Sequence, residues 1–227
     1  MRLATMFAAL TLTTATLVTA GSATAAPAPA EKPVITSPAD AEWYAEPGLA
    51  SQRIRAKIVF NKNPTNQFQS RLVWKVERRN DAGKWRVIER KVWRAGSGLP
   101  DQWGKDECVR NHGWAPNGTY APIQYDQYDG SVINGRVFFL GAKRCTDGTM
   151  RSQLFIHSEA NPDNTQCADA AGDQSCRWEH PAINEYKSNG CIKMAPGDMK
   201  ALTKAYHRYF KAGLRYPTRQ FKVDVIA

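Results

Sequence analysis

The sequence predicts a mostly β protein with one main α-helix, and three features predict it. From Arg53 onward, apolar and polar residues alternate with period two, the pattern of strands half-buried in a sheet. Asn, Asp, Gly and Pro interrupt these runs at short intervals, where turns are expected. Only near the C-terminus does the apolar spacing lengthen to that of a helix.

In chain order, Ile54, Ala56, Ile58 and Phe60 alternate with Arg55, Lys57 and Val59 to give a first strand. Leu72, Trp74 and Val76 repeat the pattern. Beyond Asn80-Asp81-Ala82-Gly83, a run through Trp85, Val87, Ile88, Val92 and Trp93 completes a β-hairpin. Gly96-Ser97-Gly98-Leu99-Pro100 ends that strand in a loop. Ala115-Pro116-Asn117-Gly118-Thr119-Tyr120 is a tight turn leading into a strand near Tyr120 to Ile123. Val132 to Leu140, β-branched or aromatic around Asn134-Gly135, predicts a second hairpin. Leu154-Phe155-Ile156 is a short apolar strand ending on His157. Ser158 to Lys187 is polar and loop-like, with Glu159, Asp163, Asp169, Asp173, Glu179 and Glu185 against only Arg177 and Lys187. Met199, Leu202, Ala205, Tyr206, Tyr209 and Phe210 form one helical stripe, with Pro196 and Asp198 in its first turn and Gly213 at its end. Phe221, Val223 and Val225 give a last strand. The expectation is a mostly antiparallel sheet with the helix packed on or beside it.

Met1-Arg2, an apolar stretch and the small residues up to Ala26 read as a secretory signal spanning 1–25. The apolar stretch is short for a membrane anchor, so an exported, soluble mature protein is expected. Residues 26–52 read as a linker or N-terminal extension, and 53–227 as one folded domain. The net charge is +10, one unit of it in Arg2. No nucleic-acid-binding motif accompanies that charge, so an anionic cell-wall polymer is the favoured counter-ion and nucleic acid is not an expected partner.

Five cysteines leave one unpaired in an oxidising compartment. Cys167 and Cys176 are close enough to close a small loop, and Cys108 with Cys145 would then be the second bridge. The other pairings, including one to Cys191, stay open from sequence. His112 and His180 each follow a cysteine by four residues. That is half a zinc pattern twice over, but zinc sites more often pair ligands on both sides. No metal or cofactor is expected. His207, mid-helix, reads as a surface residue.

The chemistry concentrates in Ser188-Asn189-Gly190-Cys191-Ile192-Lys193-Met194. A thiol directly after glycine is open to close approach, and neighbouring backbone N–H groups can receive a developing oxyanion. A strand end is a rigid place for the base such a thiol needs, which points to His157.

Ile156-His157-Ser158, a long spacer, and then Ser188-Asn189-Gly190-Cys191-Ile192-Lys193-Met194 with Asp198 and Leu202 beyond resemble the catalytic signature of YkuD-type L,D-transpeptidases. The Pro116-Asn117-Gly118-Thr119-Tyr120 turn and Gly96 resemble that family's upstream motif. The resemblance runs from about Leu72 to the C-terminus and implies the family's β-sandwich or barrel-like catalytic fold. It implies Cys191 as nucleophile, His157 as base, the Ser158 carbonyl as its orienter, and the N–H groups of Gly190 and Cys191 as oxyanion hole. Ser188, Asn189 and Lys193 would complete the substrate site. The implied reaction is acyl transfer on peptidoglycan stem tetrapeptides, ending in a 3→3 cross-link, or in an L,D-carboxypeptidase product if water is the acceptor.

Three departures accompany it. Asn189 stands where the family has histidine and cannot act as a base near neutral pH. Lys193 replaces the usual Arg or Asn. The spacer is about twice the family's length, and a Cys167–Cys176 bridge would stiffen it as an inserted lid. Two rivals remain. A papain-like or NlpC-type peptidase would place cysteine before histidine, the reverse of the order here. A disulfide-stapled, non-catalytic wall-binding module would need no nucleophile.

Overall fold

A computed structural model describes residues 53–179 and 185–227. The signal, the linker and His180 lie outside them. The described chain is mostly β, with one α-helix and two mixed sheets. The strands are β1 Ile54–Asn61, β2 Ser70–Arg79, β3 Trp85–Ala95, β4 Gly118–Tyr120, β5 Ile123–Asp129, β6 Asn134–Arg144, β7 Met150–His157, β8 Ile192–Lys193 and β9 Phe221–Ile226. The helix is α1, Pro196–Tyr206.

The first sheet has the order β3-β2-β1-β9-β4 and the second β5-β6-β7-β8. Neither closes into a barrel. The period-two residues of β1, β2 and β9 (Ile58, Phe60, Leu72, Trp74, Val76, Phe221, Val223) point one way and are fully buried. They meet Phe138, Leu140, Leu154, Ile156 and Ile192 of the second sheet and Met199, Leu202, Ala205 and Tyr206 of α1 in one cluster. Tyr206 and Phe221 lie 5.1 Å apart between ring centroids, tying helix to sheet.

The hairpin around Asn80–Gly83 forms as expected, with β2 and β3 antiparallel. Two pairings depart from the expected antiparallel pattern: β1 with β9, and β7 with β8, are parallel. Both bring together segments far apart in sequence, which no local period reveals.

Two local expectations are corrected. Val132 to Leu140 is no hairpin. The turn lies upstream, where Gly130 N–H bonds Ile133 O, and β6 runs through Gly135 opposite β5. The Asn134 side chain accepts from Gly130 N–H, closing that turn rather than forming one of its own. The helix stops at Tyr206, well before Gly213. Tyr209 and Phe210 pack on the same core from the turn beyond it. His207 is therefore the helix C-cap, and its Nε2 meets Asp126 Oδ1 at 2.8 Å.

No helix among the described residues is long and apolar enough to cross a membrane.

Candidate active site

Strand β7 alternates between two environments. Leu154 and Ile156 enter the main core, while Phe155 joins Val137 and Phe139 in a second apolar cluster on the opposite face. His157 follows Phe155 on that face by the strand's period of two. Strand β8 lies parallel to β7, with Ile192 level with Ile156 and Lys193 level with His157. Cys191, one residue earlier, thus shares the face with Phe155, and it packs against the second cluster. The parallel register is what brings His157 and Cys191 together. Both line one cavity of about 280 Å³ with Ser188, Asn189, Lys193, Leu99 and Glu159.

β8 is held from its other side as well. Gly96 and Lys193 exchange backbone bonds of 3.0 and 2.8 Å, and Ser188 N–H bonds Gly98 O. A Cβ on Gly96 would lie 2.4 Å from the Tyr186 carbonyl oxygen, so only glycine lets the chain pass there. The Gly96–Gly98 loop is thus the rail on which the cysteine strand rests.

His157 is buried, and its Nδ1 lies 3.0 Å from Ser158 O. That carbonyl can only accept, so Nδ1 carries the proton and Nε2 keeps its lone pair. Burial pushes the imidazole down to about 3, the Lys193 ammonium adds to the shift, and the Ser158 carbonyl opposes it. Burial also pushes the Cys191 thiol up to about 11, against the Phe155 N–H and the charges of Arg151 and Lys193. The resting pair is therefore a neutral thiol beside a neutral imidazole, not a thiolate–imidazolium pair. The thiol donates to Gln153 O at 3.5 Å. Gln153 has φ of 55°, a left-handed conformation rare outside glycine, within an irregular stretch of the β6–β7 pairing.

Gly190 has φ of 116°. Behind it lies Arg151, buried and donating to Glu107 O, to Gly113 O at 2.9 Å and to Asn189 O at 3.3 Å. One guanidinium therefore holds three loops, among them the one that presents the thiol. Sequence reasoning did not find Arg151. A lone arginine in a polar-alternating strand resembles a solvated face, and nothing local shows that three carbonyls converge on it. The Ser188 hydroxyl donates to the Cys191 carbonyl and tightens the same turn.

Lys193 does not reach into open solvent. Its ammonium pairs with Glu159, both side chains 7% exposed. Burial and a shared hydrogen bond with Glu185 raise the Glu159 carboxyl to about 8, with Lys193 opposing. Replacing Lys193 by Met should therefore destabilise the fold in a pH-dependent way. At pH 9 the expected loss is about 3–5 kcal/mol, because a buried carboxylate loses its counter-charge. At pH 6 it should shrink, because Glu159 is already protonated. Urea midpoints at the two pH values measure this, and equal losses would refute it.

The spacer contributes Glu159, Asp173, Ser175 and Lys187 to the cavity wall. Cys167 and Cys176 are disulfide-bonded within it. Of its acidic residues, Glu159 and Glu185 are buried, Asp173 pairs with Lys187 at 2.7 Å, and Asp169 lies 3.7 Å from Arg177. Asp163 is spent on Thr165. Most of the loop's carboxylates are therefore buried, ion-paired or hydrogen-bonded within it. Cys108 and Cys145, expected as the second bridge, are neighbouring thiols here. His112 bonds Asp101 rather than joining a metal cluster with Cys108.

No family model and no curated protein matches the chain. Among solved structures it is similar to the crystal structure of the helical cell shape determining protein Pgp2 from Campylobacter jejuni, at 15% identity and a TM-score of 0.38. The match covers 76% of this chain and 48% of that one, so the chain spans about half of that protein's length.

Proposed function

We propose that this chain is an exported cysteine acyltransferase acting on peptidoglycan stem tetrapeptides. The observation that carries the reading is the parallel β7–β8 register, which sets Cys191 and a Nδ1-protonated His157 on one face and in one cavity. The substrate class rests on the motif resemblance around His157 and Cys191.

In this mechanism Cys191 Sγ attacks the carbonyl that joins the stem to its terminal D-residue, while Nε2 of His157 takes the thiol proton. Because both groups rest neutral, proton transfer accompanies attack rather than preceding it. The N–H groups of Gly190 and Cys191 receive the oxyanion. Collapse expels the D-amino acid, which leaves with the proton from His157, and a Cys191 thioester remains. An acceptor amine from a second stem attacks that thioester, His157 takes its proton, and the thiol is regenerated with a new amide bond. Asn189 offers no second base, so His157 performs every proton transfer.

Mass spectrometry of the purified protein incubated with tetrapeptide muropeptides tests the proposal. A cross-linked dimer lacking one terminal D-residue is expected, with at least about a thousandfold loss in Cys191→Ala. A tripeptide monomer instead would make water the acceptor. Undiminished product from Cys191→Ala, or binding without reaction, would remove the enzymatic reading. A carbapenem should also add covalently to Cys191 and be lost in the same variant.

A further inference from the structure

Away from the cavity, the start of the loop after β6 meets the segment that precedes β4. Cys145 Sγ is buried and donates to Glu107 O at 3.0 Å. Cys108 follows Glu107 directly. The two sulfurs and an Asp147 carboxylate oxygen lie within 4.8 Å of one another. The Glu107 carbonyl that receives the Cys145 thiol also receives Arg151, the residue that holds Asn189 beside the nucleophile.

We propose that Cys108 and Cys145 form a second disulfide, which clamps the Glu107 segment and thereby fixes Arg151 and the Asn189–Cys191 turn. The Cys167–Cys176 bridge already marks the chain as one that matures under oxidising conditions. Formation proceeds by exchange with a disulfide oxidant, protein or small molecule. Cys108 is the more exposed thiol and meets the oxidant first, as its thiolate. Its thiolate attacks one sulfur of the oxidant and expels the other as a thiol. Cys145 then gives up its proton and attacks the Cys108 sulfur, expelling the second thiol. Two thiols are oxidised and one external disulfide is reduced. Cys145 no longer donates to Glu107 O, so that carbonyl is left to Arg151. Burial and the Cys108 contact hold the Cys145 thiol up at about 12, so the more exposed Cys108 is the sulfur that opens the exchange.

A zinc reading of the same cluster is weaker. Both Asp147 oxygens already accept from Thr149, at 2.8 and 3.1 Å. A metal would have to displace those bonds and also deprotonate Cys145.

The bridge itself is tested without reference to catalysis. The chain carries five cysteines, so two bridges leave one thiol. The full protein, purified without reductant and unfolded in guanidinium with iodoacetamide, should take up one label, on Cys191. Tryptic digestion should yield Asp106–Arg110 linked to Cys145–Arg151. Three labels would overturn the proposal, and three labels accompanied by one equivalent of zinc would assign the cluster to metal instead.

The coupling to Arg151 is tested on folded protein. Cys108→Ser removes the bridge and returns Cys145 to the thiol that donates to Glu107 O. It should lower the thermal midpoint by about 5–10 °C and change the rate of Cys191 alkylation several-fold. A bridge that forms but leaves both readouts unchanged would refute the coupling. Neither readout requires the proposed acyl transfer, so its failure would be seen separately in the muropeptide assay.

Discussion

Gly190→Ala should be the most damaging single-methyl change in the domain, lowering stability by about 3–5 kcal/mol and abolishing reaction at Cys191. Two effects act together. The backbone at φ of 116° is one that L side chains rarely adopt. A Cβ there would lie 2.0 Å from Arg151 Nη2 and 3.1 Å from Gly113 O. The end of an arginine usually yields, but this one is buried and bonded to three carbonyls. Pushing it aside leaves those carbonyls without a charged donor, at about 1.5–3 kcal/mol for each such bond. Gly172→Ala is the control. It has φ of 97° but nothing within 4 Å of a new Cβ, so it carries only the backbone term, about 1 kcal/mol. Urea denaturation of the two variants measures the difference, and equal losses would show that Arg151 does not brace the turn.

His157→Ala should lower acyl transfer by about a thousandfold, within the range for a general base, and the pH dependence should show how. With the imidazole held near 3 and the thiol near 11, no ionisation of this pair falls between those values. Alkylation of Cys191 by iodoacetamide should therefore rise steadily from pH 6 to pH 10. At neutral pH it should run roughly a hundredfold below a thiol titrating near 9, in proportion to its thiolate. A plateau by pH 7 would reveal a thiolate–imidazolium pair and overturn the neutral-pair mechanism.

The same shift has a consequence for stability. The folded histidine titrates below its unfolded value of about 6.5, so the unfolded chain binds the extra proton. Its contribution is fully present above pH 6.5 and is lost as pH falls toward 3. His157→Gln should flatten that part of the urea-midpoint profile between pH 7 and pH 5.

Much of the fold was legible because the forces that form strands and helices are local. Ile58, Trp74 and Leu154 announce a buried face by alternation alone, and the start of α1 is marked by Pro196 and Asp198. The two misreadings have different causes. Asn134-Gly135 carries a hairpin signal, yet the register of β5 against β6 places the turn earlier and makes Asn134 its brace. Gly213 carries a stop signal, but its N–H is used by Gln124 O at 2.7 Å, after the helix has already ended. At Gly213 a partner distant in sequence took the backbone bond, whereas at Asn134-Gly135 the register against neighbouring β5 moved the turn a few residues upstream.

The candidate site divides in the same way. By itself the sequence determined which residues are chemically able to react: a thiol after glycine, and a histidine at the end of an apolar strand. Only the tertiary structure decided that they share a face, because two parallel strands separated by a long spacer must first be laid side by side. Only it decided their protonation, because burial, not residue type, moves the imidazole to about 3 and the thiol to about 11. It also decided that Lys193 belongs to Glu159 and that Arg151 holds the turn before Cys191. Hydrogen bonds and desolvation depend on neighbours in space, and sequence order does not carry them.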